Sequence, residues 1–209
     1  MKGWIALALL LSACVPAARS DTGGGSCSRV LGFSVTMNWY EADGTPTVSG
    51  FEQIIGQPKK WELMAADGQA ISSWGPGGSG WNAPVTYESC DGSPDRIVLQ
   101  VGTSEPESSG QVLSELQAAV AETHRRFPDA QLDLMPMPGG PGCGTFAESI
   151  HDQMLHAIRQ VTNDKNTFEG PDTHTTDCSQ YRDDRGHLTI AGGVVIATQV
   201  AKFYTGTTA

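Results

Sequence analysis

The chain has 209 residues, with 13 Lys and Arg against 23 Asp and Glu, and its formal net charge is −10. Hydrophobic residues make up 39% of it and charged residues 17%, so the composition excludes an intrinsically disordered protein. The acidic balance also argues against nucleic acid and anionic membrane surfaces as partners, because both would repel the chain.

The first 20 residues have the pattern of a secretory signal peptide. Lys2 provides the positive start, an apolar stretch runs from Trp4 to Ala13, and small residues follow. The small-residue rule fits cleavage after Ala17 and cleavage after Ser20. No other stretch is apolar enough to span a bilayer, so we expect an exported protein, periplasmic or extracellular.

A second route of processing starts at Cys14. The run Leu-Ser-Ala-Cys at 11–14 resembles a bacterial lipobox, and Cys14 would then become the lipid-bearing first residue. The protein would in that case be tethered to a membrane by lipid alone. Residues 21–26 are predicted to be a flexible spacer, and residues 27–209 a single domain of a monomeric protein.

Four cysteines remain once Cys14 is removed or lipidated: Cys27, Cys90, Cys143 and Cys178. An even number in an oxidising compartment predicts two disulfide bonds. Four cysteines allow three pairings, which the sequence leaves open. We favour Cys27–Cys90 and Cys143–Cys178, because the members of each pair flank loops in the same part of the chain. A zinc site ranks below disulfides, since no Cys-x-x-Cys spacing occurs.

Strand and helix patterns alternate along the chain. Apolar, β-branched runs predict strands, and helical spacing of apolar residues behind a capping residue predicts helices. The strands are predicted at 29–32, 61–64, 96–101 and 131–135, and the helices at 51–55, at 108–127, after Thr145 and after Thr189. This alternation predicts a parallel sheet covered by helices on both faces, with the chemistry in loops beyond the carboxyl ends of the strands.

Two blocks in those loops carry groups for nucleophilic catalysis. Ser34 follows the glycine turn at the end of the first strand, where a hydroxyl can be exposed beside helix N–H groups. Just before the last helix, Asp184 precedes His187 by three residues and can fold back to hold the imidazole. Asp183 competes for this role, but the three-residue spacing favours Asp184. The pattern predicts a triad of Ser34, His187 and Asp184.

These blocks resemble the SGNH (GDSL-type) hydrolase superfamily of secreted or periplasmic esterases and acyl hydrolases. Ser34 in Gly-Phe-Ser-Val-Thr matches the nucleophile of that family, and Asp184 and His187 in Asp-Arg-Gly-His-Leu-Thr match its acid and base. The resemblance spans residues 28–204. It implies an α/β fold, a flavodoxin-like three-layer sandwich with a central parallel sheet.

The resemblance also implies an oxyanion hole made by Ser34, Gly68 and Ser104. Gly68 matches the family's glycine after the second strand, but Ser104 stands where the family has asparagine. Phe33 replaces the aspartate of the Gly-Asp-Ser block, which takes no part in proton transfer. Losing one oxyanion donor typically costs about 10²–10³ in turnover. The serine at 104 leaves three alternatives open: a hydroxyl that partly compensates for the asparagine, a weakened enzyme, and a fold that has lost its activity.

The sequence thus predicts an exported serine esterase that needs no metal or organic cofactor. Its expected partner is a small-molecule or glycan-borne ester. Two alternatives stay open. One is a non-catalytic envelope protein that binds a glycan or a protein in the same cleft, and the other is an acyltransferase that uses the same triad.

Other motifs match no known site. Residues 77–81 look like a nucleophile elbow, but that motif needs a glycine where Trp81 stands. His151 and His156 are five residues apart in a predicted helix and so lie on different faces, and His174 is expected at the surface. No metal site is predicted.

The glycine-rich loop at 72–84 contains Trp74 and Trp81. Exposed tryptophans on such a loop suit stacking on sugar rings, but tryptophans packed beneath a loop are at least as common. The sequence leaves both alternatives open.

Overall fold

The computed structural model describes residues 27–56, 60–87, 90, 93–162 and 166–206. The predicted signal peptide, the lipobox at Cys14 and the spacer at 21–26 lie outside the described residues and stay predictions. The described strands are β1 (Cys27–Gly32), β2 (Lys60–Ala65), β3 (Val85–Thr86), β4 (Arg96–Val101), β5 (Gln131–Pro136) and β6 (Thr167–Glu169).

These six strands form one sheet in the order β3-β2-β1-β4-β5-β6. Five of them are parallel, and β3 pairs antiparallel with β2 at one edge. Without β3, the order is the doubly wound pattern of flavodoxin-like folds. The order reverses between β1 and β4, so the crevice where such sheets bind ligands lies at the carboxyl ends of these two strands.

Helices cover the sheet: α1 (Ser34–Glu41), α2 (Gly50–Ile55), α3 (Ser109–Arg126), α4 (Phe146–Val161) and α5 (Ile190–Thr205). Helices α1, α2 and α5 pack together, and α3 packs against α4. The predicted three-layer α/β sandwich is confirmed. In the described part of the chain, no helix is both long and apolar enough to cross a membrane.

Three of the helices begin at the caps that the sequence predicts. The side chains of Ser108, Thr145 and Thr189 each accept a hydrogen bond from the backbone N–H three residues further on. Strand β4 coincides with its predicted range, and its apolar residues are fully buried, as expected of a central parallel strand. Strands β3 and β6, at two and three residues, are too short to show a periodic pattern and were not predicted.

The favoured disulfide pairing is confirmed, with bonds Cys27–Cys90 and Cys143–Cys178. The first joins the start of β1 to the segment before β4. The second joins the loop after β5 to the 3-10 turn that precedes α5. The first bond therefore fixes the segment before β4 to strand β1, and the second fixes the loop after β5 to the segment before α5.

Candidate active site

Ser34 lies at the first turn of α1, directly beyond the carboxyl end of β1. A Cβ at Gly32 would collide with the Thr36 side chain, so the strand and the helix approach closely only because position 32 is glycine. The backbone N–H of Phe33 donates to Thr36 Oγ1 over 3.0 Å, which closes the turn. The turn points the serine into the crevice between β1 and β4.

A buried amide holds this helix start against the sheet. Gln100, in β4, is fully buried, and its Oε1 accepts hydrogen bonds from Thr36 Oγ1 at 2.5 Å and from Trp39 Nε1 at 3.2 Å. Its Nε2 donates to the Pro136 carbonyl at 3.4 Å. One side chain thus joins α1 to β4 and β5, and the position of Ser34 follows from that network.

The serine hydroxyl meets the histidine that the sequence predicts. Ser34 Oγ lies 2.8 Å from His187 Nε2, and His187 Nδ1 lies 2.8 Å from Asp183 Oδ2. A carboxylate only accepts hydrogen bonds, so the proton sits on Nδ1 and Nε2 accepts from the serine hydroxyl. This is the tautomer that a general base needs.

The carboxylate that contacts His187 is Asp183, and the prediction that Asp184 would hold the imidazole does not agree with this geometry. Asp183 Oδ1 accepts the backbone N–H groups of Arg185 and His187, each over 3.1 Å. Gly186, inside this turn, has a φ of +92°, a conformation that favours glycine. In the turn so formed, the aspartate four positions before the histidine lies within hydrogen-bond distance of Nδ1.

Asp184 contacts the start of α4 through its backbone. Its carbonyl accepts the backbone N–H of Phe146 over 2.7 Å, at the start of α4. The turn that carries the histidine is thereby fastened to a neighbouring helix. Asp184 therefore supports the turn through its backbone carbonyl, whereas the side chain that contacts His187 is that of Asp183.

The environment of Asp183 favours its ionised form. Partial burial raises the pKa of its carboxyl, but the hydrogen bonds from the ring and backbone of His187, together with the charge of an imidazolium, outweigh burial. The pKa of Asp183 therefore lies below its usual range. The carboxylate stays negative at neutral pH, where it can stabilise a positive histidine.

A cavity of about 370 Å³ opens over these residues. Its wall includes all three residues predicted for the oxyanion hole, which come from the loops after β1, β2 and β4. The lining residues are Phe33, Ser34, Val35, Asp67, Gly68, Gln69, Thr103, Ser104, Met137, Phe146, Arg182, Arg185 and His187. No sequence pattern places Met137, Phe146 and Arg182 at this cavity, because the segments that carry them reach it only in the folded chain.

The structure brings the three predicted oxyanion residues to one wall. Ser34 is the first residue of α1, where helix N–H groups have no partner within the helix. Gly68 has a φ of +70°, which favours glycine, and a Cβ there would meet nothing within 4 Å. Ser104 is exposed, whereas the neighbouring Thr103 is buried and donates its hydroxyl to the Glu105 carbonyl.

The wall beyond β5 is held by one carboxylate and one disulfide. Glu148 Oε1 accepts the backbone N–H groups of Gly142 at 3.3 Å and Cys143 at 3.2 Å, and its Oε2 accepts that of Thr145 at 3.1 Å. Burial raises the pKa of this carboxyl, but the backbone hydrogen bonds outweigh burial and leave the pKa below its usual value of 4.5. The Cys143–Cys178 bond fastens the same loop.

Replacing Glu148 with glutamine is expected to destabilise the fold by about 1–2 kcal/mol at neutral pH, since a charged acceptor of three N–H groups is lost. The folded pKa of Glu148 is lowered, so its contribution is fully present above about pH 5 and disappears as pH falls through that lowered value. Urea unfolding of both proteins between pH 7 and pH 3 measures this. A difference that stays constant over that range would contradict the assignment.

Replacing Gly186 with alanine is expected to cost about 2–4 kcal/mol of stability. The residue has a φ of +92°, and its Cβ would collide with the Ala147 side chain, so the His187 turn must shift. The matched control is Gly206→Ala, which has a φ of +65° but an open Cβ position. Thermal unfolding should show a clearly smaller loss for the control; equal losses would contradict the steric argument.

The tryptophans of the glycine-rich loop pack against protein. Trp74 is fully buried, and its ring centroid lies 5.1 Å from that of Trp81. Trp81 Nε1 donates to the carbonyls of Trp74 and Gly75. Neither ring lines the cavity over Ser34, and both rings pack against protein, as the packing alternative predicts.

Comparison with known proteins gives a similar fold at low sequence identity. No family model matches this chain, and no curated protein sequence matches it. A family two carbohydrate esterase from Clostridium thermocellum, solved with cellohexaose, superposes with a TM-score of 0.57 over 86% of this chain at 14% identity. This chain spans 64% of the length of that structure.

Two further structures extend the likeness. A family 2 carbohydrate esterase with a carbohydrate binding domain from Myceliophthora fergusii has a TM-score of 0.55 at 16% identity, covering 92% of this chain and 68% of its own. A family 3 carbohydrate esterase from Talaromyces cellulolyticus has a TM-score of 0.52 at 14% identity, covering 87% of this chain and 99% of its own. These likenesses show that the chain shares the α/β fold of these carbohydrate esterases.

Proposed function

We propose that this chain is an exported serine esterase that removes short acyl groups from hydroxyls of a carbohydrate. The observation that carries the proposal is the hydrogen-bonded series Ser34–His187–Asp183, with 2.8 Å at each step. A hydroxyl aligned on a neutral imidazole, which is itself aligned on an ionised carboxylate, is the arrangement that activates a serine.

The reaction follows from the positions of the protons. Ser34 Oγ attacks the ester carbonyl while His187 Nε2 takes its proton, and Asp183 stabilises the imidazolium that forms. His187 then gives the proton to the departing alcohol oxygen, which leaves an acyl group on Ser34. Water attacks this acyl-enzyme with His187 again as base, and release of the acid restores the serine.

The negative oxygen of each tetrahedral intermediate must be stabilised by hydrogen-bond donors. The N–H of Ser34 at the start of α1, the N–H of Gly68 and the hydroxyl of Ser104 are the three groups that we assign to it. Ser104 takes the place of a longer side chain in related enzymes. We therefore expect turnover below that of an enzyme with three well-placed donors.

The cavity favours a small acyl group. Its volume of about 370 Å³ is near the lower end for ligand sites, and Phe33, Met137 and Phe146 provide an apolar wall for a short alkyl chain. Arg182 and Arg185 supply hydrogen-bond donors for a polar alcohol. The similar structures support a carbohydrate as that alcohol, because they are described as carbohydrate esterases and one is bound to cellohexaose.

Export of the protein rests on separate observations. Two disulfide bonds are typical of an oxidising compartment, and the first 20 residues have a secretory pattern. Lipid attachment at Cys14 is the alternative fate of that segment. Mass spectrometry of the mature N-terminus distinguishes them, since cleavage after Ser20 without lipid would exclude the lipoprotein.

The test of the proposed function is hydrolysis by the purified mature protein. We expect p-nitrophenyl acetate to be cleaved faster than the butyrate and octanoate, acetate to be released from acetylated xylo- or cello-oligosaccharides, and His187→Ala to lose both activities. Acyl transfer to an added oligosaccharide in place of water would identify a transferase. No turnover of any ester by folded protein would contradict the esterase and favour a binding protein.

A further inference from the structure

A cluster of two histidines and an aspartate lies behind the wall of the cavity. His151 is in α4, and Asp172 and His174 are in the loop that follows β6. His151 Nε2 lies 3.2 Å and His174 Nε2 lies 3.0 Å from the same oxygen, Asp172 Oδ1. The sequence predicts no metal site here, because the histidine in α4 is far along the chain from the other two residues.

The backbone carbonyl of Met137 fixes the tautomer of His151. His151 Nδ1 lies 2.6 Å from the Met137 carbonyl, which can only accept a hydrogen bond, so Nδ1 carries the proton. In the neutral ring, Nε2 is then a lone-pair donor, and it points at a carboxylate oxygen. His151 is only 4% exposed, so water does not separate these two electron-rich atoms readily.

A carboxylate oxygen and an unprotonated ring nitrogen 3.2 Å apart repel each other unless a proton or a metal ion lies between them. The second imidazole, His174, converges on the same oxygen and lies with its ring centroid 4.8 Å from that of His151. Without a metal ion, His174 can donate to Asp172 from Nε2 as a neutral ring, but His151 can do so only with both ring nitrogens protonated, which places a charged imidazolium in a buried position. A single divalent ion satisfies all three groups at once.

The spacing suits zinc. The three ligand atoms lie within 4.8 Å of one another. Ligands about 2.0–2.2 Å from a tetrahedral zinc ion lie about 3.3–3.5 Å apart, close to the N···O distances above. A histidine that binds a metal through one ring nitrogen usually donates a hydrogen bond from the other, often to a backbone carbonyl, and this bond fixes its tautomer. His151 Nδ1 has such a partner in the Met137 carbonyl.

We propose that His151, Asp172 and His174 bind one Zn²⁺ ion, with the fourth position open to water on the exposed side. Asp172 and His174 are about half exposed, so the ion has a path of entry. The site joins α4, the loop after β5 and the loop after β6. Its role is to hold the wall that carries Met137, and it does not depend on the proposed esterase activity.

The contacts around Gly139 support a metal site at this place. Gly139 pairs with His174 as an isolated bridge, and a Cβ on Gly139 would collide with the His174 ring and press on that of His151. The Gly139 carbonyl also accepts the Tyr181 hydroxyl at 3.0 Å. The backbone is therefore shaped to admit both rings at this place.

The test is zinc binding to the untagged mature protein, by calorimetry and by equilibrium dialysis with elemental analysis. We expect one zinc per chain and a rise in melting temperature on adding Zn²⁺. Because losing even an outer partner of a ligand costs about 10–100-fold in affinity, His174→Ala and Asp172→Asn should weaken binding by about 100-fold or more. Both residues are exposed enough for these variants to fold.

Two controls make the result specific to this cluster. His156→Ala removes an exposed histidine from the same helix, and His187→Ala removes the histidine of the candidate active site. Both variants should bind zinc as the wild type does. Nitrogen NMR of the histidine rings should show the Nε2 signals of His151 and His174 shifting together at one equivalent of zinc.

The proposal is overturned if the wild type binds less than stoichiometric zinc at micromolar free Zn²⁺, or if His174→Ala and Asp172→Asn bind as tightly as the wild type. It is also overturned if the His151 Nε2 signal shows a bound proton that zinc does not displace. The cluster would then be an ion pair between Asp172 and a charged His151.

Discussion

Replacing Asp183 with asparagine is expected to lower kcat/KM for p-nitrophenyl acetate by about 10³–10⁴. Asparagine can still accept the N–H groups of Arg185 and His187 through its oxygen, so the turn should keep its shape. Its NH₂ group, however, donates to His187 Nδ1 in place of the carboxylate, so the imidazole takes the wrong tautomer and Nε2 can no longer accept the serine proton.

The matched control is Asp184→Asn. Only the backbone carbonyl of Asp184 contacts Phe146, and the substitution leaves that carbonyl in place. We expect activity within a few-fold of the wild type and an unchanged melting temperature. A large loss in Asp184→Asn with a small loss in Asp183→Asn would contradict the assigned geometry and restore the three-residue spacing.

Replacing Ser34 with alanine is expected to lower kcat by about 10⁴–10⁶, because the nucleophile itself is removed. Alanine is the best helix former and Ser34 is the first residue of α1, so the fold should be unaffected. Circular dichroism and the melting temperature check the fold, and steady-state kinetics at high enzyme concentration measure the residual rate.

Ser149→Ala serves as the control for a serine lost elsewhere, since Ser149 is exposed in α4 and donates to the Phe146 carbonyl. It should retain full activity. If Ser34→Ala kept more than about a hundredth of the wild-type rate while folded, the acyl-enzyme mechanism through Ser34 would be wrong.

Local patterns made much of the fold predictable. Four of the six residues in β4 are apolar because that strand is buried on both faces. Ser108, Thr145 and Thr189 cap their helices through hydrogen bonds that span three residues. Ser34 was predictable for the same reason, because a glycine turn after a strand is a local signal. These features depend on neighbours in sequence.

The remaining features depend on contacts that the sequence does not display. Asp183 reaches His187 while the backbone of the neighbouring Asp184 bonds to Phe146 in α4, and the Cβ position of Gly186 in the same turn faces Ala147 of that helix. The cluster of His151, Asp172 and His174 forms only when the loop after β6 meets α4. Spacing rules cover a turn or a helix face, and they carry no information on such tertiary contacts.

Labelling of the mature protein with a fluorophosphonate, followed by intact mass and peptide mapping, measures whether Ser34 is an activated nucleophile. We expect one adduct, located on Ser34, that is absent from Ser34→Ala and greatly slowed in His187→Ala and Asp183→Asn. Ser34 should react because its hydroxyl lies 2.8 Å from His187 Nε2. Folded wild-type protein that carries no adduct on Ser34 would show that this serine is not the nucleophile.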